Sequence, residues 1–368
     1  MRFLVLFLTV LICSCSSSNE EFTPNNNSNN GSGSGAGSGT NSGNNSGNTA
    51  NQWIVSVSQI IDAGPGKDGI PSLDTPVFID INTQSYLNDD DLIVGITING
   101  KSKAYPYKIL NYHEVVNDIV GGSNLTISHC PLTGTSFGWS RIINGEVTTF
   151  GVSGLLYNSN LILYDRKTDS NWFQMGEICA NGELRGRIPT GVKVIETTLG
   201  EWKKFYPNSE VLSKEQGFSK PYDKYPYRGY LEDDDLLLFP VSPINDRLPK
   251  KERVFAVITG ATSKVYRRES FGEGLAKKDV YKGEKLLIVG NKDLITCFQL
   301  NESQEDLVFE YTEEGEGVMF KDNEGNKWSP FGLALEGPRK GTILRPKKSL
   351  MTFWFAVAAF FPEPILDD

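Results

Sequence analysis

The chain has 368 residues, a formal net charge of −9 and a hydrophobic fraction of 39%. The acidic balance argues against a nucleic-acid partner, because phosphate binding needs clustered lysine and arginine. Of the five cysteines, two lie within the first 15 residues, and the three in the body are an odd number, so at least one is not part of an internal disulfide.

The first residues, MRFLVLFLTVLICSCSSS, are typical of an exported lipoprotein. Arg2 precedes an apolar run, Phe3 to Ile12, that is too short to span a bilayer. Cys15 follows Ser14 and has an aliphatic residue three places before it, a pattern that a lipoprotein signal peptidase accepts. We predict a signal peptide over residues 1–15, palmitate-type lipid attachment at Cys15, and anchorage to the cell envelope of a bacterium. A plain secreted protein is the alternative.

Residues 16–52 are rich in Asn, Gly and Ser and carry almost no apolar side chains. Such a segment cannot bury enough surface to offset the entropy of ordering its backbone. It is predicted to be a flexible tether between the lipid and a folded body that begins at Trp53.

The body contains an internal repeat. The segment IVGITINGKSKAY (residues 93–105) aligns with VFAVITGATSKVY (residues 254–266), and Trp172 and Trp202 align with Trp328 and Trp354. Both segments read as β-hairpins. We therefore predict a β-rich α+β fold of two tandem related modules of short antiparallel strands with a few short helices. The first module covers residues 53–220, the linker 221–250, and the second module 251–368.

The two modules differ at the residues that could carry chemistry. The second module has Gly274 in place of His113, and Gly290-Asn291 in place of His129-Cys130. Any chemistry of these residues therefore belongs to the first module, and the second is predicted to be degenerate.

Two further segments flank the candidate residues. YPYKILNYHEVVND predicts a helix that carries His113 and Glu114, with Val115 and Val116 on its apolar face. The segment PYDKYPYRGY in the linker has four tyrosines in ten residues. It is interpreted as the cover of the linker rather than as a ligand-contacting loop.

Four long segments carry a resemblance to a known family: GKSKAYPYKILNYHEVVNDIVGG, HCPLTGTSF, FGVSGLLYNSNLILYDRKTDSNW and FWFAVAAFFP. They are similar to the prokaryotic exported proteins known as domain of unknown function 3179, from about Asp68 to the C-terminus. The resemblance implies no established activity. The resemblance implies that many members read C-P-L-C-G or C-P-L-T-G at this turn, and Thr133 here excludes a two-cysteine pair. His129 is often an aromatic in relatives, so the residues carried over are His113, Glu114 and Cys130.

The candidate chemistry centres on Cys130, which follows a strand and precedes a Pro-Leu-Thr-Gly turn. If His113 faces it, the thiolate and imidazole form a soft ligand set for copper or zinc, with His129 or Glu114 completing the set. The alternative is covalent catalysis by Cys130 with His113 as base. A purely structural role is the third interpretation.

Other residues remain secondary candidates. Tyr157 and Asn158 lie on a strand-like segment where they could line a pocket and bind a cofactor, and Asn158 could equally bond turn backbone. A disulfide between Cys130 and Cys179 would remove the thiol from any mechanism.

The functional hypothesis is an exported, lipid-anchored protein with a Cys/His metal- or thiol-dependent site in its first module. Its partners would be the membrane, through the lipid, and a small-molecule or metal ligand. The alternative is a non-enzymatic binding or scaffold lipoprotein with a groove between the modules.

Overall fold

The computed structural model describes residues 52–315 and 317–367. The predicted signal peptide, the lipid-attachment residue Cys15 and residues 16–51 of the tether lie outside the described residues.

The first module consists of short strands and two helices. Its strands are β1 (Ile60–Asp62), β2 (Phe78–Asp80), β3 (Leu92–Ile98), β4 (Lys101–Pro106), β5 (Val115–Val120), β6 (Ser123–Cys130), β7 (Thr135–Ser140), β8 (Ile142–Ile143), β9 (Glu146–Val147), β10 (Phe150–Tyr157), β11 (Asn160–Asp165), β12 (Asn171–Phe173), β13 (Ile178–Asn181), β14 (Gly191–Val192), β15 (Ile195–Thr198) and β16 (Glu210–Leu212). Its helices are α1 (Tyr107–His113) and α2 (Leu199–Phe205).

The second module repeats this series. Its strands are β17 (Arg253–Thr259), β18 (Thr262–Arg267), β19 (Leu275–Tyr281), β20 (Glu284–Asn291), β21 (Leu294–Gln299), β22 (Phe309–Gly315), β23 (Val318–Asp322), β24 (Lys327–Trp328), β25 (Ala334–Glu336), β26 (Arg345–Pro346), β27 (Ser349–Phe353) and β28 (Ile365–Asp367), and its helix is α3 (Trp354–Phe360). Short 3-10 helices are present at Val57–Gln59, Arg268–Phe271 and Glu302–Gln304.

Apart from the additional edge strands β1 and β2 of the first module, the sheets of the two modules have the same strand order. The first module has sheets β15-β3-β4-β16-β2, β14-β7-β6-β5 and β1-β10-β11-β12-β13, and the second has β27-β17-β18-β28, β26-β21-β20-β19 and β22-β23-β24-β25. Even the parallel pairs correspond, because β16 runs parallel to β4 and β28 runs parallel to β18. The predicted β-rich fold of two related modules is therefore confirmed.

Buried polar contacts are repeated as well. In the first module, the Asp118 carboxylate accepts hydrogen bonds from Lys103 Nζ at 2.9 Å and from Tyr105 OH at 2.7 Å. In the second module, Asp279 is bonded in the same way by Lys264 and Tyr266. A buried carboxylate that accepts hydrogen bonds from both a cation and a phenol recovers much of the free energy that it loses on leaving water. This triad joins the first hairpin of each module to its next sheet.

Helix α1 is shorter than the sequence pattern predicts. Glu114 adopts the left-handed conformation, with φ 56°, and its N–H closes the helix on Leu110 O at 2.7 Å. Val115 and Val116 then begin β5, so the predicted continuation of the helix is wrong. Two adjacent β-branched residues favour an extended strand, and pairing with β6 gives the backbone its hydrogen bonds.

The two modules meet through two equivalent pairs of neighbouring strands. Strand β7 of the first module packs beside β27 of the second, and β15 of the first packs beside β21 of the second. Because β7 corresponds to β21 and β15 corresponds to β27, this is one contact made twice, as in the isologous interface of a two-fold dimer. The buried helix α3 belongs to a hydrophobic core that contains residues of both modules and of the linker.

Among the residues described, no helix is long and apolar enough to cross a membrane.

Candidate functional site

The end of β6 and the turn that follows it, residues 129–134, separate two cavities, and their side chains alternate between them. His129 and Pro131 line a cleft of about 410 Å³ that also has walls from the linker and from the second module. Cys130 and Leu132 line a smaller cavity of about 230 Å³ between the first module and the linker, which contributes Tyr227 and Phe239. We name these the inter-module cleft and the inner cavity. At His129 and Cys130 the alternation follows from the period-2 geometry of the extended backbone of β6.

The backbone of this turn is held mainly from outside its own module. Tyr225 OH donates to Pro131 O at 3.0 Å, and Tyr230 OH donates to Leu132 O at 2.7 Å. The next carbonyl, Thr133 O, accepts the backbone N–H of Phe353 at 2.9 Å. The linker and the second module therefore fix the turn that carries the candidate residues.

A buried polar network supports the turn from the side of the first module. Asn160 Nδ2 donates to Thr133 Oγ1 at 2.9 Å and to Gln174 Oε1 at 2.8 Å. Thr135 Oγ1 donates to Gln174 Oε1 at 2.8 Å, and Gln174 Nε2 reaches Ser128 Oγ at 3.0 Å. A network in which the members satisfy one another rigidifies its surroundings. Thr133 is a structural member of this network.

Cys130 is a buried, free thiol. Its Sγ lies 3.6 Å from Ser159 O, and burial, together with the neighbouring Glu114 carboxyl, raises the pKa of the thiol to about 11. Cys179 and Cys297 are also free and buried. The structure therefore does not form the disulfide between Cys130 and Cys179 that the sequence allowed.

His113 has both ring nitrogens engaged. Nδ1 lies 2.8 Å from Pro71 O and Nε2 lies 2.7 Å from Tyr222 OH. The carbonyl can only accept, so Nδ1 carries the proton and Nε2 accepts the phenol. Burial lowers the pKa of the imidazole, which favours this neutral form. His113 joins α1 to the segment before β2 and to the linker, and it lines neither the inter-module cleft nor the inner cavity.

Glu114 is the candidate that shares a cavity with Cys130. Its side chain lines the inner cavity, and the residue is only 6% exposed. The Tyr227 phenol lies 3.5 Å from Oε1, and burial raises the pKa of the carboxyl to about 8. At neutral pH, Glu114 is therefore predominantly a protonated acid that can donate a hydrogen bond.

His129 faces the inter-module cleft instead. Its ring nitrogens lie 3.0 Å from Ser136 Oγ and 3.1 Å from Asn111 Oδ1, and its ring packs on Tyr107 with centroids 4.0 Å apart. Burial, with the nearby Arg253, lowers the pKa of this imidazole to about 3.

Within residues 52–315 and 317–367, no group of three or more His, Cys, Asp or Glu side chains is placed to hold a metal. A copper or zinc site at His113, Cys130 and His129 stays a prediction.

Tyr157 ends β10 and Asn158 follows it in the turn to β11, and neither residue lines the inter-module cleft or the inner cavity. Tyr157 stacks on Phe173 with ring centroids 4.7 Å apart. Asn158 has φ 47° in the tight turn to β11, and its Oδ1 accepts the N–H of Ser242 at 3.0 Å. These contacts are structural, and the cofactor-binding role of the two residues is a prediction that the cavities do not support.

The second module has no room for the equivalent histidine side chains. A Cβ atom on Gly290, the counterpart of His129, would lie 1.9 Å from Leu294 O, and one on Gly274, the counterpart of His113, would lie 2.0 Å from the Tyr311 ring. No histidine fits at either position. The cavity at the symmetry-related place, beside Arg268 and Lys292, measures only about 10 Å³. The inter-module cleft therefore forms beside the turn of the first module, and the symmetry-related place in the second module has no cavity of comparable size.

The fold and the two cavities define a class of two-module, β-rich protein whose linker closes over a cysteine-containing turn. The chain belongs to the family described as protein of unknown function (DUF3179), whose family model matches residues 67–364. This confirms the resemblance noted in the sequence. No curated protein and no solved structure matches the chain.

Several residues of the site were not predicted. The buried network of Asn160 and Gln174, and the cleft residues Tyr107 and Arg253, carry no recognisable spacing in the sequence. The tyrosines of the linker were visible in the sequence as a cluster: Tyr225 and Tyr230 bond carbonyls of the turn, and Tyr222 and Tyr225 also line the inter-module cleft. A hydrogen bond between a side-chain hydroxyl and a carbonyl far away in the chain leaves no periodic pattern in the sequence.

Glu114→Gln is expected to change how stability depends on pH. The folded protein keeps the Glu114 proton up to about pH 8, whereas the unfolded chain releases it near its ordinary pKa of 4.5, so rising pH favours unfolding. Relative to wild type, Glu114→Gln should therefore gain about 3 kcal/mol in the free energy of unfolding between pH 4.5 and pH 7.5. The measurement is denaturant unfolding at a series of pH values. The exposed Glu232→Gln is the control, and a pH-independent difference for Glu114→Gln would contradict the assignment.

Proposed function

We propose that this chain is an exported, lipid-anchored binding protein that takes up a small organic molecule in the inter-module cleft. The observation that carries the proposal is the cleft itself, about 410 Å³ in volume, with walls from the first module, the linker and the second module. Ligand sites commonly lie at the interface between structural units and have volumes of several hundred Å³.

The chemistry of the cleft wall indicates the kind of ligand. Aromatic rings come from Tyr107, Tyr222, Tyr225 and Phe353. Charged groups also line the cleft, but Lys108 is paired with Asp91 at 2.6 Å and Arg253 with Glu196 at 3.2 Å. Lys224, Asp90 and Asp223 line the cleft as well, so its three cations and three carboxylates carry no formal net charge, and the cleft offers stacking faces and hydrogen-bonding groups more than net charge. We propose an uncharged or zwitterionic polar molecule with a flat apolar face.

The cleft is also preformed. His129 is locked by Ser136 and Asn111, and the turn beneath it is fixed through Pro131 O and Thr133 O. A wall that does not have to be ordered on binding favours affinity. None of these groups is poised as a nucleophile, since His129 is buried and neutral. This supports binding rather than covalent catalysis at the cleft.

Leu231→Trp is expected to block the cleft. Leu231 lines the cleft and is 48% exposed, so a larger ring can be introduced without disturbing the core. Purified protein would be incubated with small molecules extracted from an envelope fraction, washed, and the retained compounds identified by mass spectrometry. Retention should fall at least about ten-fold in Leu231→Trp.

The matched control is Leu238→Trp. Leu238 lies in the same linker, is 41% exposed and lines neither the inter-module cleft nor the inner cavity. This variant should retain the same compounds as wild type. Equal retention by wild type and both variants would show that the cleft is not the binding site.

The lipid anchor is tested separately. Cys15→Ser, expressed in a bacterium that processes lipoproteins, should lose incorporation of labelled palmitate and release the body from the membrane fraction. Cys13→Ser is the control and should be labelled as wild type, because Cys13 follows the bulky Ile12. Palmitate incorporation in Cys15→Ser would rule out this residue as the attachment site.

A second candidate function, a metal- or thiol-dependent site in the first module, is favoured by one observation: Cys130 and Glu114 line the same cavity. Copper or zinc would need the thiolate, and coordination can deprotonate a buried thiol. This candidate predicts stoichiometric copper or zinc in purified wild type and its loss in Cys130→Ser, measured by elemental analysis. Equal metal content in the two proteins would count against ligation by Cys130.

A further inference from the structure

We infer that the inner cavity is a second, separate binding site, and that it takes a small neutral and largely apolar molecule whose one hydrogen-bond-accepting oxygen is held by the Glu114 acid. This goes beyond the ligand proposed for the inter-module cleft. It depends on a different cavity, on different side chains and on a different chemistry of recognition.

The size and walls of the inner cavity set the class of ligand. Its volume is about 230 Å³, which exceeds the roughly 150 Å³ of an apolar cavity able to bind benzene. The wall is mainly hydrocarbon and includes Ile70, Val152, Leu156, Leu161 and Phe239. A molecule with a single aromatic ring fits this volume and would be stabilised by the apolar surface.

Glu114 is the polar group that this wall leaves incompletely bonded. The residue is 6% exposed, and within the described residues its side chain makes one hydrogen-bond contact, the long one of 3.5 Å from Tyr227 OH to Oε1. A buried carboxyl with so little hydrogen bonding loses free energy. An acceptor atom on a ligand inside the cavity would supply the missing partner.

The second module shows what this position looks like when it is satisfied internally. Cys130 corresponds to Asn291, whose Nδ2 donates to Glu201 Oε1 at 2.7 Å and lies 2.8 Å from Tyr311 OH. Glu114 corresponds to Leu275, which carries no polar group. The degenerate module has thus removed the acid and bonded the neighbouring side chain, whereas the first module keeps an acid and a thiol facing open space.

The charge of the surroundings points to a neutral ligand. The titratable groups that face Glu114 are Cys130, Tyr225 and Tyr227, and burial raises the pKa of all three above their ordinary values. Among the described residues that line the inner cavity, none is a lysine or an arginine. An anion would therefore find no counter-charge, and a neutral acceptor such as a ketone meets a protonated acid.

The experiment compares two probes of nearly equal shape, acetophenone and α-methylstyrene, which differ in a carbonyl oxygen against a methylene. Binding to the full purified protein is measured by titration calorimetry or ligand-observed NMR at pH 6 and at pH 10. At pH 6, acetophenone should bind about ten-fold more tightly than α-methylstyrene, the ratio that one hydrogen bond gives. At pH 10 this preference should disappear, because the ionised Glu114 no longer donates.

Two variants distinguish the effect of a hydrogen-bond donor at residue 114 from the effect of its ionisation. Glu114→Gln keeps an N–H donor at every pH, so its preference for acetophenone should persist at pH 10. Glu114→Leu should bind both probes equally at either pH, because the donor is gone. Filling the cavity by Ala63→Phe should abolish the binding of both probes.

Wild type that binds neither probe, or binds both equally at pH 6, would overturn the inference. A pH-dependent preference in Glu114→Gln would also overturn it, because the titrating group would then be another residue. If Glu114→Leu does not fold, the comparison between wild type and Glu114→Gln at the two pH values still decides the outcome.

Discussion

The structure depends on one constraint, the fixing of three consecutive carbonyls in the turn between β6 and β7 by groups from outside the first module. Two are bonded by Tyr225 and Tyr230 of the linker, and the third by the backbone of Phe353 in the second module. Backbone carbonyls at a buried turn must find partners. Because these partners come from the linker and from the second module, the turn reaches its final form only when both modules and the linker are assembled, and the two cavities on either side of it form at the same time.

The repeat explains why only one side of this assembly has room for a ligand. Both modules keep the same sheets and the same buried Lys-Asp-Tyr triad, so the duplicated features are those that build the fold. The residues that differ are those at the ends of β6 and β20, where Gly290 packs directly on backbone in the second module. Close packing stabilises a fold, so one copy can do without the cavity. The other copy retains the open space.

Burial decides the chemical character of the candidate residues. The thiol of Cys130, the carboxyl of Glu114 and the imidazole of His129 all have pKa values shifted toward the neutral form. Charges are costly in a low-dielectric interior unless they are paired, and no cation faces Cys130 or Glu114 within the lining of the inner cavity. Neutral donors and acceptors recognise ligands by hydrogen bonds and shape, which is why the geometry supports binding more strongly than nucleophilic catalysis.

The sequence by itself determined the repeat, the β-rich class, the family and the position of Cys130 at the end of a strand. These features depend on period-2 patterns and repeated motifs, which can be read directly along the chain. It did not determine where α1 ends, since Val115 and Val116 become a strand only through pairing with β6. Nor did it show that Cys130 shares its cavity with Glu114 while His113 bonds Pro71 and Tyr222 elsewhere. Those contacts join residues far apart in the chain, and their directions are fixed only when the sheets, the linker and both modules pack together.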